Sequence, residues 1–187
     1  MRSKHDTWIR QAAAAICAAA FFLGSAVFSR GAELCPAPQT AAKCAALLDG
    51  RTGDCLYAKN GGQRALIAST TKIMTGLLIC EAGGLEKTVT VPDIAVGLEG
   101  SSMYLKNGET LTRRDLLYGM MLHSGNDAAL TLAVSISGSE QAFVRQMNLR
   151  ARTLGLAQTH FANPHGLDSG ENYTTSLDLA RLAQAAL

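Results

Sequence analysis

Charge is scarce in this chain. Asp, Glu, Lys and Arg make up 17% of its 187 residues and the formal net charge is +2, a balance that predicts neither nucleic-acid binding nor attraction to a strongly acidic surface. Metal-ligand spacings are missing too: neither Cys-x-x-Cys nor His-Glu-x-x-His occurs, so no metal site is visible and no cofactor is expected. There is no internal repeat, and no low-complexity tract beyond the first thirty residues. What is present is apolar material, 48% of the chain, enough for one core in a length that fits a single domain.

The first thirty residues stand apart. Arg2, Lys4 and Arg10 make a basic start, Ala12 to Phe28 is almost entirely apolar, and small residues follow at Gly24 and Ala26 or Ser29 and Gly31. This is the layout of a secretory signal peptide, assigned to residues 1–31 with the domain proper at 32–187. The run is short for a membrane span and rich in weakly inserting alanine; left uncleaved, it is the one route to membrane association. The chain is therefore expected outside the cytoplasm, where Cys35, Cys44, Cys55 and Cys80 could oxidise in any of three connectivities. The hairpin register expected below sets Leu48, not Cys44, opposite Cys55, too far for a Cys44–Cys55 bridge. Cys80 follows Ile73 and Leu77 at helical spacing and is expected to be buried.

Residues 32–43 read as an irregular lead-in. Cys44–Asp49, a turn through Gly50–Gly53 and Cys55–Ala58 predict a hairpin. Ile73, Met74, Leu77 and Leu78 predict a helix over 70–81, ended by Gly83-Gly84. Thr88–Val91 and Met103–Leu105 are strand candidates. A second helix is expected from Thr112 as N-cap, with Asp115 three residues on. A third runs from Asn126 or Asp127 through Ile136, a fourth from Ser139 to about Leu154, and a last begins near Ser176. One hairpin followed by helices leaves apolar faces without a partner sheet, the pattern of an incomplete domain.

Chemistry concentrates at Ser69-Thr-Thr-Lys72 and Ser124-Gly-Asn126. Three positions apart on a helix, a serine and a lysine share one face, so the amine can serve as base for the hydroxyl. Ser69 falls where the helix begins, and the free N–H groups and positive dipole there favour a developing oxyanion; the bland alternative is an N-cap serine. A lysine base must be desolvated, and Ile67, Ile73 and Met74 supply apolar neighbours. The Ser-Gly-Asn loop is either a glycine C-cap followed by an Asn N-cap, or a loop whose Ser124 relays a proton and whose Asn126 contacts substrate. His123 is read as rim packing and His165 as structural; a Ser-His-Asp triad is unnecessary beside a lysine.

The chain resembles the low-molecular-mass penicillin-binding serine D-Ala-D-Ala carboxypeptidases over about residues 42–187. The likeness rests on Ala68-Ser-Thr-Thr-Lys-Ile-Met-Thr75, Glu99-Gly-Ser-Ser-Met-Tyr-Leu105, Asp115-Leu-Leu-Tyr-Gly-Met-Met-Leu122, Ser124-Gly-Asn-Asp-Ala-Ala129 and Asn163-Pro-His-Gly-Leu-Asp168. It implies removal of the terminal D-alanine from peptidoglycan stem peptides ending in D-Ala-D-Ala, through an acyl-serine intermediate in the bacterial cell envelope. Ser69 would be the nucleophile, Lys72 its base, Ser124 the relay and Asn126 a substrate contact, with β-lactams acylating the same serine. The implied fold is α/β (α+β), of the serine β-lactamase/D,D-peptidase kind, here expected as a truncated version with an amino-terminal hairpin, a mainly helical region and the later sheet strands missing.

One departure stands out. The family's Lys-Thr-Gly strand, which holds the substrate carboxylate and supplies an oxyanion N–H, has no counterpart: the last lysine is Lys106, and Lys87-Thr88-Val89 lacks the glycine. The 187 residues alone are accordingly expected to be a poor catalyst, which opens the alternative of an inactive fragment serving as a cell-wall binding module. The other rival is a serine β-lactamase. A class A enzyme carries Ser-Asp-Asn and a glutamate for deacylation; here Gly125 is the middle residue, and neither Glu140 nor Glu171 lies in a matching context.

Overall fold

A computed structural model describes residues 36–187. The signal-like segment, Cys17 and Cys35 lie outside the described residues. Two strands open the described fold, β1 (Ala45–Leu48) and β2 (Cys55–Lys59), antiparallel and with Leu48 opposite Cys55 as the spacing predicts. Asp49 shapes the turn: its Oδ1 accepts from the N–H groups of Arg51 at 2.9 Å and Thr52 at 2.7 Å, the local capping that makes Asp a turn residue. Cys44, Cys55 and Cys80 are free thiols. Cys80 is exposed, not buried as its spacing suggests: it lines an open groove with Leu117, Tyr118 and Ala186 that the packing of the helices leaves unfilled.

A short 3-10 turn (Ala68–Thr71) runs into α1 (Lys72–Ala82), closed by Gly83 at φ 67°. Then come β3 (Thr88–Thr90), β4 (Thr110–Thr112), α2 (Arg113–Leu122), α3 (Asn126–Ser137), α4 (Glu140–Thr153) and α5 (Ser176–Ala186). Three helix starts are fixed by local chemistry legible in the sequence: the hydroxyls of Thr112, Ser139 and Thr175 accept from the N–H groups of Asp115, Ala142 and Asp178, each satisfying an orphan first-turn donor. Asp178 does more, since its carboxylate also accepts from Gln158 N–H at 2.8 Å and Thr159 Oγ1 at 3.0 Å, tying α5 to the loop before it.

The centre of the helical region is α3, in which every residue from Asn126 to Ala133 is buried. It packs on α1, α2, α4 and β3, as a helix apolar on most sides must. Met74 and Ile79 of α1, Leu116 and Met120 of α2, and Phe143 and Met147 of α4 close around it, all at 0% exposure. Gly119 of α2 lets Met103 pack closely against that helix: a Cβ there would sit 1.9 Å from Met103 Sδ.

Two expectations are corrected. The amino-terminal hairpin does not hold all the β structure: β3 and β4 form a second antiparallel ribbon, Val89 opposite Leu111, and bridges join Ala65 to Thr174 and His160 to Tyr173. β structure therefore occurs both before the helices and after them. Met103–Leu105, expected as a strand, is not one. The N–H groups of Met103 and Leu105 both donate to the Asp127 carboxylate, at 3.0 Å each, and Tyr104 between them takes the left-handed φ of 59°, so no ladder can form. The partner of β3 is instead the threonine-flanked Thr110–Thr112, three residues too short to show a period.

Candidate active site

Ser69 lies on the 3-10 turn one residue after Ala68, whose φ of 43° swings the chain into the helix. Its side chain caps nothing; it is exposed and accepts from Lys72 Nζ at 3.3 Å. The spacing of three therefore places the two groups together, and the N-cap alternative is excluded. Lys72 itself is 3% exposed. Its amine also donates to Asn126 Oδ1 and to the His165 carbonyl, at 2.7 Å each. No carboxylate appears among these partners. Burial pushes the amine down from 10.5 to about 8, because uncharged acceptors only partly replace the water removed from the ammonium.

Ser124 occupies the corner between α2 and α3 with a φ of 57°. With Ser69, Thr70, Lys72, Ile73, Met120 and Met121 it lines a cavity of about 290 Å³. Its hydroxyl is buried with no hydrogen-bond partner among the described residues, so both its donor and its acceptor capacity remain open toward a group arriving in that cavity. On the other side of Ser69, a cleft of about 380 Å³ runs past Ser101, Asn126 and Leu167. Ser69 thus stands between two openings.

Asn126 is 4% exposed and both ends of its amide are engaged within the protein. Nδ2 donates to Glu99 O at 2.6 Å, which leaves Oδ1 as the acceptor for Lys72. In this structure its amide holds the Lys72 amine while the residue also lines the cleft beside Ser69. The sequence did not disclose Asp127, 1% exposed. Burial alone would raise its carboxyl; donation from Met103 N–H, the Ser102 hydroxyl, Leu105 N–H and Ala128 N–H outweighs that and holds it below the usual range. This carboxylate fastens the 102–105 loop to the start of α3, and so fixes Ser101 and Glu99, whose carbonyls accept from Asn126 N and Nδ2.

His165 enters through its backbone. Its carbonyl accepts from Lys72, while burial and then the lysine's charge push the imidazole from 6.5 down to about 4. The neutral ring accepts from Leu167 N–H at 3.2 Å, and Glu140 Oε1 is 3.8 Å from Nε2, beyond hydrogen-bond length. His123 is exposed at the end of α2 and lines neither opening at Ser69.

The loop at 163–166 reaches Lys72 only because Gly166 has no side chain. Its φ is 88°, and a Cβ there would sit 1.9 Å from Ala68 O. Because the obstructing atom is backbone, the strain cannot be relieved by a rotamer change. Gly166→Ala is expected to cost more than about 2 kcal/mol and to lower the melting temperature by roughly 5 °C or more. An unchanged melting curve would show that the loop has another way to approach.

A serine beside a buried, carboxylate-free lysine, with a second hydroxyl across a cavity, is the equipment of a serine acyl-enzyme. The fold agrees. It superposes on the solved D-alanyl-D-alanine carboxypeptidase DacD from Francisella tularensis with a TM-score of 0.75 at 41% identity, over 79% of this chain and 37% of that one. The likeness to the D-alanyl-D-alanine carboxypeptidase from Mycobacterium tuberculosis H37Rv has a TM-score of 0.77 at 33% identity, over 82% and 59%. This is an α+β fold related to the D,D-peptidases and β-lactamases, with strands on both sides of the helical region, which overturns the expectation of a fold with one amino-terminal hairpin alone. The chain belongs to the D-alanyl-D-alanine carboxypeptidase family, peptidase S11, whose pattern it matches over residues 32–187. It is 42% identical over 151 residues to the D-alanyl-D-alanine carboxypeptidase DacF of Bacillus subtilis, covering 78% of this chain and 39% of that protein. It spans the same 39% of DacD of Escherichia coli, about two fifths of the length of either relative.

Proposed function

We propose that Ser69, Lys72 and Ser124 carry out acyl transfer from peptidoglycan stem peptides ending in D-Ala-D-Ala, outside the cytoplasm. Lys72 Nζ accepts the proton of Ser69 Oγ as that oxygen attacks the carbonyl carbon of the penultimate D-alanine. The tetrahedral oxyanion develops at the start of the 3-10 turn and helix, where the positive end of the helix dipole favours it. Collapse expels the terminal D-alanine, whose amine takes up a proton through Ser124, and water later hydrolyses the ester. β-Lactams acylate the same oxygen by ring opening.

What supports this most is the state of Lys72: an amine 3.3 Å from Ser69 Oγ and held near 8 is partly neutral at physiological pH, as a general base must be. The β-lactamase alternative gains nothing from the geometry. Neither Glu140 nor Glu171 lines either opening at Ser69, so rapid hydrolysis of a chromogenic cephalosporin is not expected; slow release after trapping is.

Ser124→Ala, made like the other active-site variants in a version extended through a Lys-Thr-Gly segment, supplies a test of the relay. Acylation by penicillin and D-alanine release should fall by roughly 10²-fold or more. Because the hydroxyl has no partner to lose, the melting temperature should stay within about 2 °C of the parent. A full rate with Ala at this position would remove Ser124 from the mechanism.

A further inference from the structure

The outer face of α4 carries groups that acylation does not use. Arg145 and Arg152 lie seven residues apart, about 10 Å along the axis at ~1.5 Å per residue. With Val144, Asn148, Leu149 and His160 they line a groove of about 530 Å³. Their neighbour Arg150 is neutralised by Glu81 at 2.6 Å. Among the described residues Arg145 and Arg152 take part in no ion pair, and both are exposed.

Two of the lining side chains are held in place. Asn148 donates Nδ2 to Phe161 O at 2.7 Å and accepts from Phe161 N–H at 3.0 Å. The His160 ring is held by donation from Nδ1–H to Glu171 O at 2.9 Å and by stacking on Tyr173, centroids 5.8 Å apart. Arg64 lies over the same Tyr173 ring at 4.4 Å. Guanidinium forks are shaped for two-point contact with phosphate oxygens, and two of them spaced two helical turns apart suit repeated anionic groups better than a single one. The net charge of +2 conceals this local concentration.

We propose that the groove binds a phosphodiester polyanion, successive phosphates being held by Arg145 and Arg152. The inference does not depend on the acylation chemistry. Its test uses the full chain and an end-labelled poly(glycerol phosphate), titrated over a range of salt. Replacing both residues, Arg145→Ala with Arg152→Ala, should weaken binding by about 100-fold and lower the salt slope by about two, while penicillin labelling proceeds at the parent rate. Arg145→Lys with Arg152→Lys keeps the charge but loses the forks, and should fall between. Arg51→Ala, on the hairpin turn, should change nothing. Parent-like binding by the double alanine variant, an equal loss from Arg51→Ala, or equal affinity for polyglutamate would each overturn the proposal.

Discussion

In a version of the protein that also carries a Lys-Thr-Gly segment, Ser69→Ala is expected to abolish covalent labelling by a fluorescent penicillin and, with it, release of D-alanine. The expectation rests on position as well as type. Ser69 is exposed between two openings and receives the Lys72 amine at 3.3 Å, so it is the hydroxyl that both a base and a ligand can reach. Removing Oγ leaves Lys72 its two shorter contacts, to Asn126 and His165. An exposed side chain that caps no helix contributes little to folding, and stability should change by no more than about 0.5 kcal/mol. A folded Ser69→Ala protein that still labels would place the nucleophile elsewhere.

Lys72 should matter almost as much. Lys72→Ala removes general-base assistance, worth roughly 10²–10⁴-fold in acylation rate. It also leaves Asn126 Oδ1 and the His165 carbonyl without a buried donor, at about 1–3 kcal/mol for each group left unpaired, so a loss of rate in this variant alone is ambiguous. Lys72→Arg resolves the ambiguity. Arginine keeps donors for the buried acceptors but stays protonated, so acylation should remain suppressed even where the melting curve recovers. An arginine variant that acylates at the parent rate would mean that the residue serves by charge and not by accepting a proton.

Much of this arrangement is legible in the sequence because it is local. Ser69 and Lys72 meet through helical periodicity, Thr112, Ser139 and Thr175 are capping residues next to the helices they start, and the hairpin register follows from a short turn. What the sequence conceals are contacts across long separations. The His165 carbonyl that binds Lys72 belongs to a backbone group, which every residue possesses, and reaches across 93 positions. Asp127 looks like an ordinary first-turn acid, yet it holds the backbone of Met103 and Leu105; that same carboxylate is why a plausible strand there fails to form. Gly166 is one turn glycine among many until Ala68 O is placed against it. Asn126, expected to contact substrate, lines the cleft beside Ser69, and its amide also holds Lys72 and the Glu99 carbonyl, partners from two other segments that the sequence does not show.

In the proposed mechanism Lys72 acts as the base because burial brings its amine down to about 8. The sign follows directly: the neutral amine is the active form, so acylation must rise with pH until Lys72 is deprotonated. The measurement is the second-order rate of acylation by a penicillin that does not titrate in the range, from about pH 6 to about pH 10, with folding monitored throughout. Acylation should rise about tenfold per unit at the low end, level near 8, and show no such rise in Lys72→Arg. A rate that is flat across the range, or one that climbs on toward the ordinary lysine value of 10.5, would contradict it.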